Sequence, residues 1–143
     1  MSRILGIDWG EKRIGLALSD PLGIIATSLA TVEKKEGFDL TNYLKQLISE
    51  QEIAKIILGF PKNMDGSVGP KAEEVLAFKA TLEKEINLPI ILWDERLTTV
   101  SAQRSLREAE VKMKKGKKFL DKIAAVLILQ NYLDHAHNKK TQE

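Results

Sequence analysis

Three short apolar runs open the chain, each closed by turn-forming residues. Ile4 to Asp8 is rich in Ile and Leu, Arg13 to Ser19 alternates Ile14, Leu16 and Leu18 with Gly15 and Ala17, and Ile24 to Val32 follows. Their patterning and the brief links Trp9-Gly10-Glu11-Lys12 and Asp20-Pro21-Leu22-Gly23 predict an antiparallel meander. Gly15 and Ala17 leave one face of the second strand open to close approach by a helix. The rhythm then changes. Leu40, Tyr43, Leu44, Leu47 and Ile48 recur at helical spacing and predict a helix over about 39–51. Lys55 to Phe60 is a compact apolar strand stopped by Pro61, and Asn63-Met64-Asp65-Gly66-Ser67 reads as a loop. Pro70 suits the first turn of a second helix, which runs to about Ile86 with Ala72, Val75, Leu76 and Leu82 inward. Ile90 to Trp93 is a fifth strand leading into Asp94-Glu95-Arg96. Thr98 or Thr99 can cap a third helix to about Ala109. A last helix spans Phe119 to about His135, and the polar tail 138–143 is expected to fray.

Three meander strands followed by two strand–helix units predict an α/β fold with a mixed five-stranded sheet flanked by helices. Right-handed crossovers place strands four and five parallel to the first, on its far side from the second. The ends of strands one, four and five then share one sheet edge, the usual location of an α/β active site. Residues 1–137 form one domain on this reading.

Composition narrows the chemistry. At 143 residues with 43% hydrophobic and 29% charged positions, the chain can bury a proper core. It has no cysteine, which removes disulfides, zinc–thiolate sites and a cysteine nucleophile together. The N-terminus enters the first strand at once, without a signal segment, and no run is long enough to span a membrane, so a cytoplasmic protein is expected. The net charge of +2 says little. Its distribution says more, because Lys112, Lys114, Lys115, Lys117 and Lys118 crowd together without an acid.

Asp8 ends an apolar strand and is followed by Gly10, so its carboxylate is fixed at the edge of a core. It either opens a turn or serves a site. Asp121 falls on a helical stripe with Ala124, Ala125, Ile128 and Tyr132, which aims it at the sheet, although a first-turn acid also complements a helix dipole. Glu95 is either a solvated strand end or a third acid, and strand alternation lets at most one of Asp94 and Glu95 face Asp8. Converging carboxylates repel unless a cation lies between them, and oxygen-only ligands suit Mg²⁺ or Mn²⁺. A close pair of such ions activates water and stabilises the leaving oxygen of an in-line displacement. Lys12, Arg13 and Arg96 stand where a phosphate could be held, Arg96 alternatively pairing with Asp94. The lysines of 112–118 either deliver a nucleic-acid backbone to the acids or form a solvated loop. Trp9 either stacks on a base or belongs to the core or a lid. His135 and His137 read as exposed helix-end residues.

Four segments occur in one order: Gly6-Ile7-Asp8-Trp9-Gly10-Glu11-Lys12-Arg13-Ile14-Gly15 with Ser19-Asp20; Gly59-Phe60-Pro61-Lys62-Asn63-Met64-Asp65-Gly66-Ser67; Asp94-Glu95-Arg96-Leu97-Thr98-Thr99; and Asp121-Lys122-Ile123-Ala124-Ala125. Together they resemble the YqgF family of pre-16S ribosomal RNA nucleases and Holliday-junction-resolvase-like proteins, across essentially the whole chain. The resemblance implies a ribonuclease-H-like sheet and metal-dependent phosphodiester cleavage, with Asp8, Glu95 and Asp121 at the positions of the acidic triad. Many nucleases of that fold carry an acid on or just after the fourth strand, whereas here it ends Gly59-Phe60-Pro61. Glu95 must therefore reach across from the fifth strand, and Asp20 is the replacement should it fail to.

The expected activity is hydrolysis of phosphodiester bonds, with processing of the 5′ end of pre-16S rRNA during ribosome biogenesis the leading substrate and branched DNA the alternative. Ribosome-associated proteins and a second copy of the chain are compatible partners. A non-catalytic RNA-binding assembly factor is a different class, against which the three acids argue. An actin-like or sugar-kinase ATPase shares a strand of this kind but needs two domains around its nucleotide.

Overall fold

A computed structural model describes residues 3–97 and 117–141, apart from the side chains of residues 97, 117–122 and 138–141. Its strands are β1 (Arg3–Trp9), β2 (Arg13–Ser19), β3 (Ala26–Glu33), β4 (Ile53–Phe60) and β5 (Ile90–Asp94). The helices are α1 (Leu40–Glu50), α2 (Pro70–Glu85) and α3 (Lys117–Thr141), and Glu95–Leu97 form a single 3₁₀ turn after β5. The sheet order is β3-β2-β1-β4-β5. β1–β2 and β2–β3 are antiparallel, while β1–β4 and β4–β5 are parallel, as the meander and crossover rules predict.

Alternation divides the sheet into two faces. Leu5 and Ile7 of β1, Ile14 and Leu16 of β2, and Ile56 and Leu58 of β4 are fully buried on one, against Leu44 of α1 and Ala72, Val75, Phe78 and Leu82 of α2. The other face is built of small residues and one helix. Ala17, Ala26 and Ile57 meet Ala125, Ile128, Leu129 and Leu133 of α3. Gly6 lies on this face too, and a Cβ there would stand 2.7 Å from the Cβ of Leu129. Bare backbone at Gly6 is therefore what lets α3 lie so close.

Polar side chains fix where α3 sits. Gln130 accepts from the N–H of Ala26 at 2.8 Å and donates to the carbonyl of Ile24 at 2.9 Å. Trp93 of β5 donates its indole N–H to Asn131 at 2.9 Å, and Lys55 of β4 donates to the Tyr132 hydroxyl at 3.1 Å. Tyr132 thus meets the start of β4 and Ile128 packs at Gly59 near its end, so α3 runs antiparallel to β4. Residue 121, two turns before Ile128, lies past the carboxyl ends of β1 and β4.

Three expectations need correction. β3 begins at Ala26, not Ile24, because the Asp20 carboxylate accepts from the N–H groups of Ile24 at 2.7 Å and Ile25 at 2.9 Å and holds both in the turn. On α2 the inward residue is Phe78, and Leu76 is exposed, since the buried positions 72, 75, 78 and 82 leave it around the helix. α3 runs from Lys117 to Thr141, longer at both ends than the expected span of Phe119 to about His135. The third helix, expected to about Ala109, lies outside the described residues.

Gly6→Ala should destabilise the fold by about 1–3 kcal/mol in urea denaturation, because the clash is with a helix Cβ that moves only with its helix. Leu76→Ala, at an exposed position, should stay within about 0.5 kcal/mol. Equal effects would remove the close approach of α3 from the account.

Candidate active site

Asp8 is buried, with 8% of its surface exposed, and it shares the α3 face of β1 with Gly6. Its neighbours on that face are both glycines. Gly15 of β2 pairs directly with Asp8, and Ile7 opposite Leu58 puts Gly59 of β4 beside it. A carboxylate is thus set in a row with no side chain on either adjoining strand.

Glu95 fills part of that space. β5 pairs Gly59 with Trp93 and Phe60 with Asp94, and the 3₁₀ turn then bends Glu95 back over β4. A Cβ on Gly59 would lie 3.4 Å from the Glu95 carboxyl carbon and 3.5 Å from its Oε2. It would also lie 2.6 Å from Cδ1 of Ile128. The acid missing from β4 is thereby supplied from the next strand, across a glycine. Burial first, and then the charge of Asp8, push the Glu95 carboxyl up to about 7 from its usual 4.5, while Lys71 of α2 opposes the shift. Asp94 goes elsewhere. It takes the Arg96 guanidinium through three side-chain hydrogen bonds of 2.8–3.1 Å, which hold its own carboxyl below the usual range.

Asp121 lies on α3 one turn before Ala125, with its backbone at the same sheet edge as Asp8 and Glu95. Its side chain is outside the described residues. Among the described residues no three His, Cys, Asp or Glu side chains are grouped to hold a metal ion. Asp20 is at the opposite edge and serves its turn.

The expected phosphate-holding groups divide. Lys12 is exposed in the β1–β2 turn, and Arg13 faces Glu33 across β2–β3 at 3.9 Å. Arg96 is committed to Asp94, beneath the 63–67 loop that Asp65 and Ser67 close with hydrogen bonds of 2.6 and 2.9 Å. Lys112, Lys114 and Lys115 fall outside the described residues, while Lys117 and Lys118 open α3. Trp9 is half-buried and packs against the margin of the core. Phe78 lies 4.2 Å from its ring centroid and the Lys34 ammonium 3.5 Å, so both have claimed the indole. His135 and His137 are exposed, as expected, and His135 sets its ring 5.4 Å from that of Trp93.

Sequence reasoning missed Gly59, Lys71 and Lys34. The first had a signal, an apolar strand ending in Gly where an acid was sought. Lys71 had a weaker one, a cation in the first turn of a helix that follows a parallel strand. Lys34 had none, because its approach to Trp9 is a product of the tertiary fold.

Comparison with known proteins bears on family and fold. A family model described as RuvX, Holliday junction resolvase, matches residues 2–135. A protein of Thermoanaerobacter pseudethanolicus is 50% identical over 138 residues, covering 96% of this chain and 99% of the relative; it bears the name "Putative pre-16S rRNA nuclease". A Clostridium kluyveri protein of the same name is 50% identical over 133 residues, or 92% of this chain and 96% of that one. Among solved structures, Thermus thermophilus RuvC in complex with a Holliday junction substrate superposes with a TM-score of 0.62 at 13% identity, over 96% of both chains. The fowlpox virus resolvase with junction DNA gives 0.55 at 12% identity, over 94% of this chain and 98% of the other. At such identities the structures speak for a shared fold alone. Among the described residues no helix is long and apolar enough to cross a membrane. A family model spanning nearly all of this chain, with relatives at half identity, establishes that it belongs to the RuvX/YqgF family.

Proposed function

We propose that this chain is a divalent-metal-dependent nuclease that hydrolyses phosphodiester bonds in precursor 16S rRNA, at the 5′ end of the mature sequence and in the cytoplasm. The observation that carries the reading is the Glu95 carboxyl laid over Gly59, beside buried Asp8. Two carboxylates crowded at a sheet edge, one of them pushed to about 7 by burial and by the other, form a site short of positive charge. An all-oxygen donor set of this kind fits Mg²⁺ or Mn²⁺. Asp8, Glu95 and Asp121 would hold the metal, which supplies an activated water and charge stabilisation at the leaving oxygen. The chain's own residues do the rest. Bare Gly15 and Gly59 leave room beside Asp8 for a phosphate, and Ile128 helps exclude water from Glu95. Lys12 and Arg13, with the lysines of 112–118, hold the backbone without reading its bases, while Arg96 stays with Asp94.

Branched DNA is the second substrate class, favoured by the description of the matching family model. Purified protein with Mg²⁺ or Mn²⁺, given precursor rRNA and a four-way DNA junction in parallel, separates the two. Cleavage of neither would leave a binding role in ribosome assembly.

Asp8→Asn should lower cleavage at least about 100-fold while far-ultraviolet dichroism stays unchanged, since charge is lost with little change of shape. Divalent ions should raise the melting temperature of the wild type more than that of the variant. Equal cleavage by both at saturating metal would take Asp8 out of the mechanism.

Glu95 gives a pH signature without metal. The unfolded chain loses this proton near 4.5 and the folded chain near 7, so between these values the folded state binds a proton that the unfolded state has released. Stability from this group is full below about 4.5, declines as pH rises and levels off above about 7. Glu95→Gln should therefore be more stable than wild type by roughly 1–3 kcal/mol at pH 8, with the difference vanishing toward pH 4. Urea denaturation in chelator at both pH values measures it. A variant less stable at pH 8 would show that Glu95 is not crowded by Asp8.

Gly59→Val should also abolish cleavage, because its side chain takes the space of the Glu95 carboxyl. Retained activity in a folded variant would detach Glu95 from the reaction.

A further inference from the structure

On the side of Asp8 away from Glu95, the sheet rim carries a second feature that the acids do not use. A cavity of about 310 Å³ opens there, lined by Glu11, Lys12, Arg13, Glu33 and Lys34. Main-chain bonds fix its frame: the N–H of Gly10 donates to the carbonyl of Arg13, and that of Lys34 to the carbonyl of Lys12, both at 2.9 Å. Three cations and two carboxylates surround the space, and the contact between Arg13 and Glu33 is a loose one. Arg13 Nε is buried without a hydrogen-bond partner among the described residues, and Glu33 Oε1 at 3.9 Å is too far to be one. The Lys34 ammonium is held over the Trp9 ring and partly stripped of water, which draws its pKa below the usual lysine value.

A buried guanidinium N–H and a partly dehydrated ammonium bordering one cavity are both stabilised by an anion with oxygen acceptors. Location narrows the choice of anion. β1 and β3 are two inter-strand spacings apart, about 10 Å, so the cavity is within reach of a polymer chain whose reacting phosphate lies at Asp8. Lys34 also lies within the electrostatic reach of Glu74, Glu11 and, least, Asp8. A free anion would need no such alignment with the carboxylates, whereas a nucleic-acid strand presents phosphates at regular intervals.

We propose that this cavity binds a backbone phosphate neighbouring the one that is cut, with Arg13 and Lys34 as its ligands and Lys12 at its mouth. The inference rests on the nuclease reading above. It implies that the strand crosses the rim of the sheet from β3 through β1 to β4, and that Glu33 competes with the phosphate for Arg13. Lys34 is a positioning residue here: it touches the flanking phosphate and sets the register of the bond at Asp8.

The test uses full-length protein and the RNA, or junction strand, that the wild type cleaves under Mg²⁺ or Mn²⁺. Lys34→Met keeps the aliphatic stem over Trp9 and removes the charge. It should raise KM about tenfold, mostly in KM rather than in kcat, and reduce the salt slope of binding by about 0.7 to 0.9. Arg13→Gln should act the same way. Glu33→Gln should do the opposite and lower KM, which loss of a purely structural ion pair would not do. Wild-type protein is then given substrates in which single phosphates flanking the cut are replaced by neutral methylphosphonates. One position should reproduce the loss seen with Lys34→Met, and should cause no further loss in that variant. This scan stands even if a variant fails to fold. Wild-type cleavage with no sensitive flanking position, or with losses that add in full to those of Lys34→Met, overturns the subsite and leaves the nuclease reading intact. Absence of wild-type cleavage on RNA and junction alike overturns the nuclease reading, and the subsite with it.

Discussion

The near contact between α3 and the bare backbone of the sheet is what the rest of the molecule depends on. With a Cβ at Gly6 the helix could not lie where it does, since Leu129 occupies that space. Because α3 is close, Gln130, Asn131 and Tyr132 reach three different strands and fix its position along the sheet. That position carries the start of the helix, and Asp121 with it, past the carboxyl ends of β1 and β4. Packing on the apolar face with α1 and α2 forms the larger of the two clusters of buried residues. The small-residue face supplies the alignment, which a larger and softer core would leave less sharply defined.

The same economy of side chains creates the electrostatic tension at the site. Gly15 and Gly59 flank Asp8, and the second carboxylate enters only because Gly59 has nothing to put in its way. Ile128 then closes in from above, so Glu95 is deprived of water as well as placed near a like charge. A folded core does not profit from such an arrangement. Its rationale lies in what the pair can bind, a common exchange of stability for function. Asp94, one residue earlier, shows the contrast: with Arg96 at hand its charge is fully served, and it is spent on shaping the turn.

Much of the fold was legible because alternation and helical spacing report burial directly. The strand order followed from chain order and handedness, and the small face of β2 announced a close helix before any coordinates. Local chemistry explains the shortfalls. Ile24 and Ile25 look like strand residues, but the Asp20 carboxylate competes successfully for their N–H groups. Leu76 is apolar at an outward angle, which composition does not reveal. Within the site, the carboxylates at 8 and 95 were visible as residues, whereas the route by which Glu95 reaches Asp8 depends on a glycine two strand positions away from it in space and thirty-six in sequence. The cavity at Arg13 and Lys34 was not legible, because it is made where a turn and a strand end meet.

The arrangement around Trp9 has an optical consequence. The chain has two tryptophans, and they occupy opposite faces of the sheet. Trp93 is set edge-on to Tyr132 and His135 with its N–H bonded to Asn131, a well-anchored setting. Trp9 has an ammonium 3.5 Å above its ring and a buried N–H without a hydrogen-bond partner among the described residues. Indole emission responds strongly to a nearby charge, so the signal of Trp9 is governed by where the Lys34 side chain rests, and Trp93 provides a steady background. The protein therefore contains an intrinsic fluorophore at the rim of the sheet, which reports movement of one lysine without any added label.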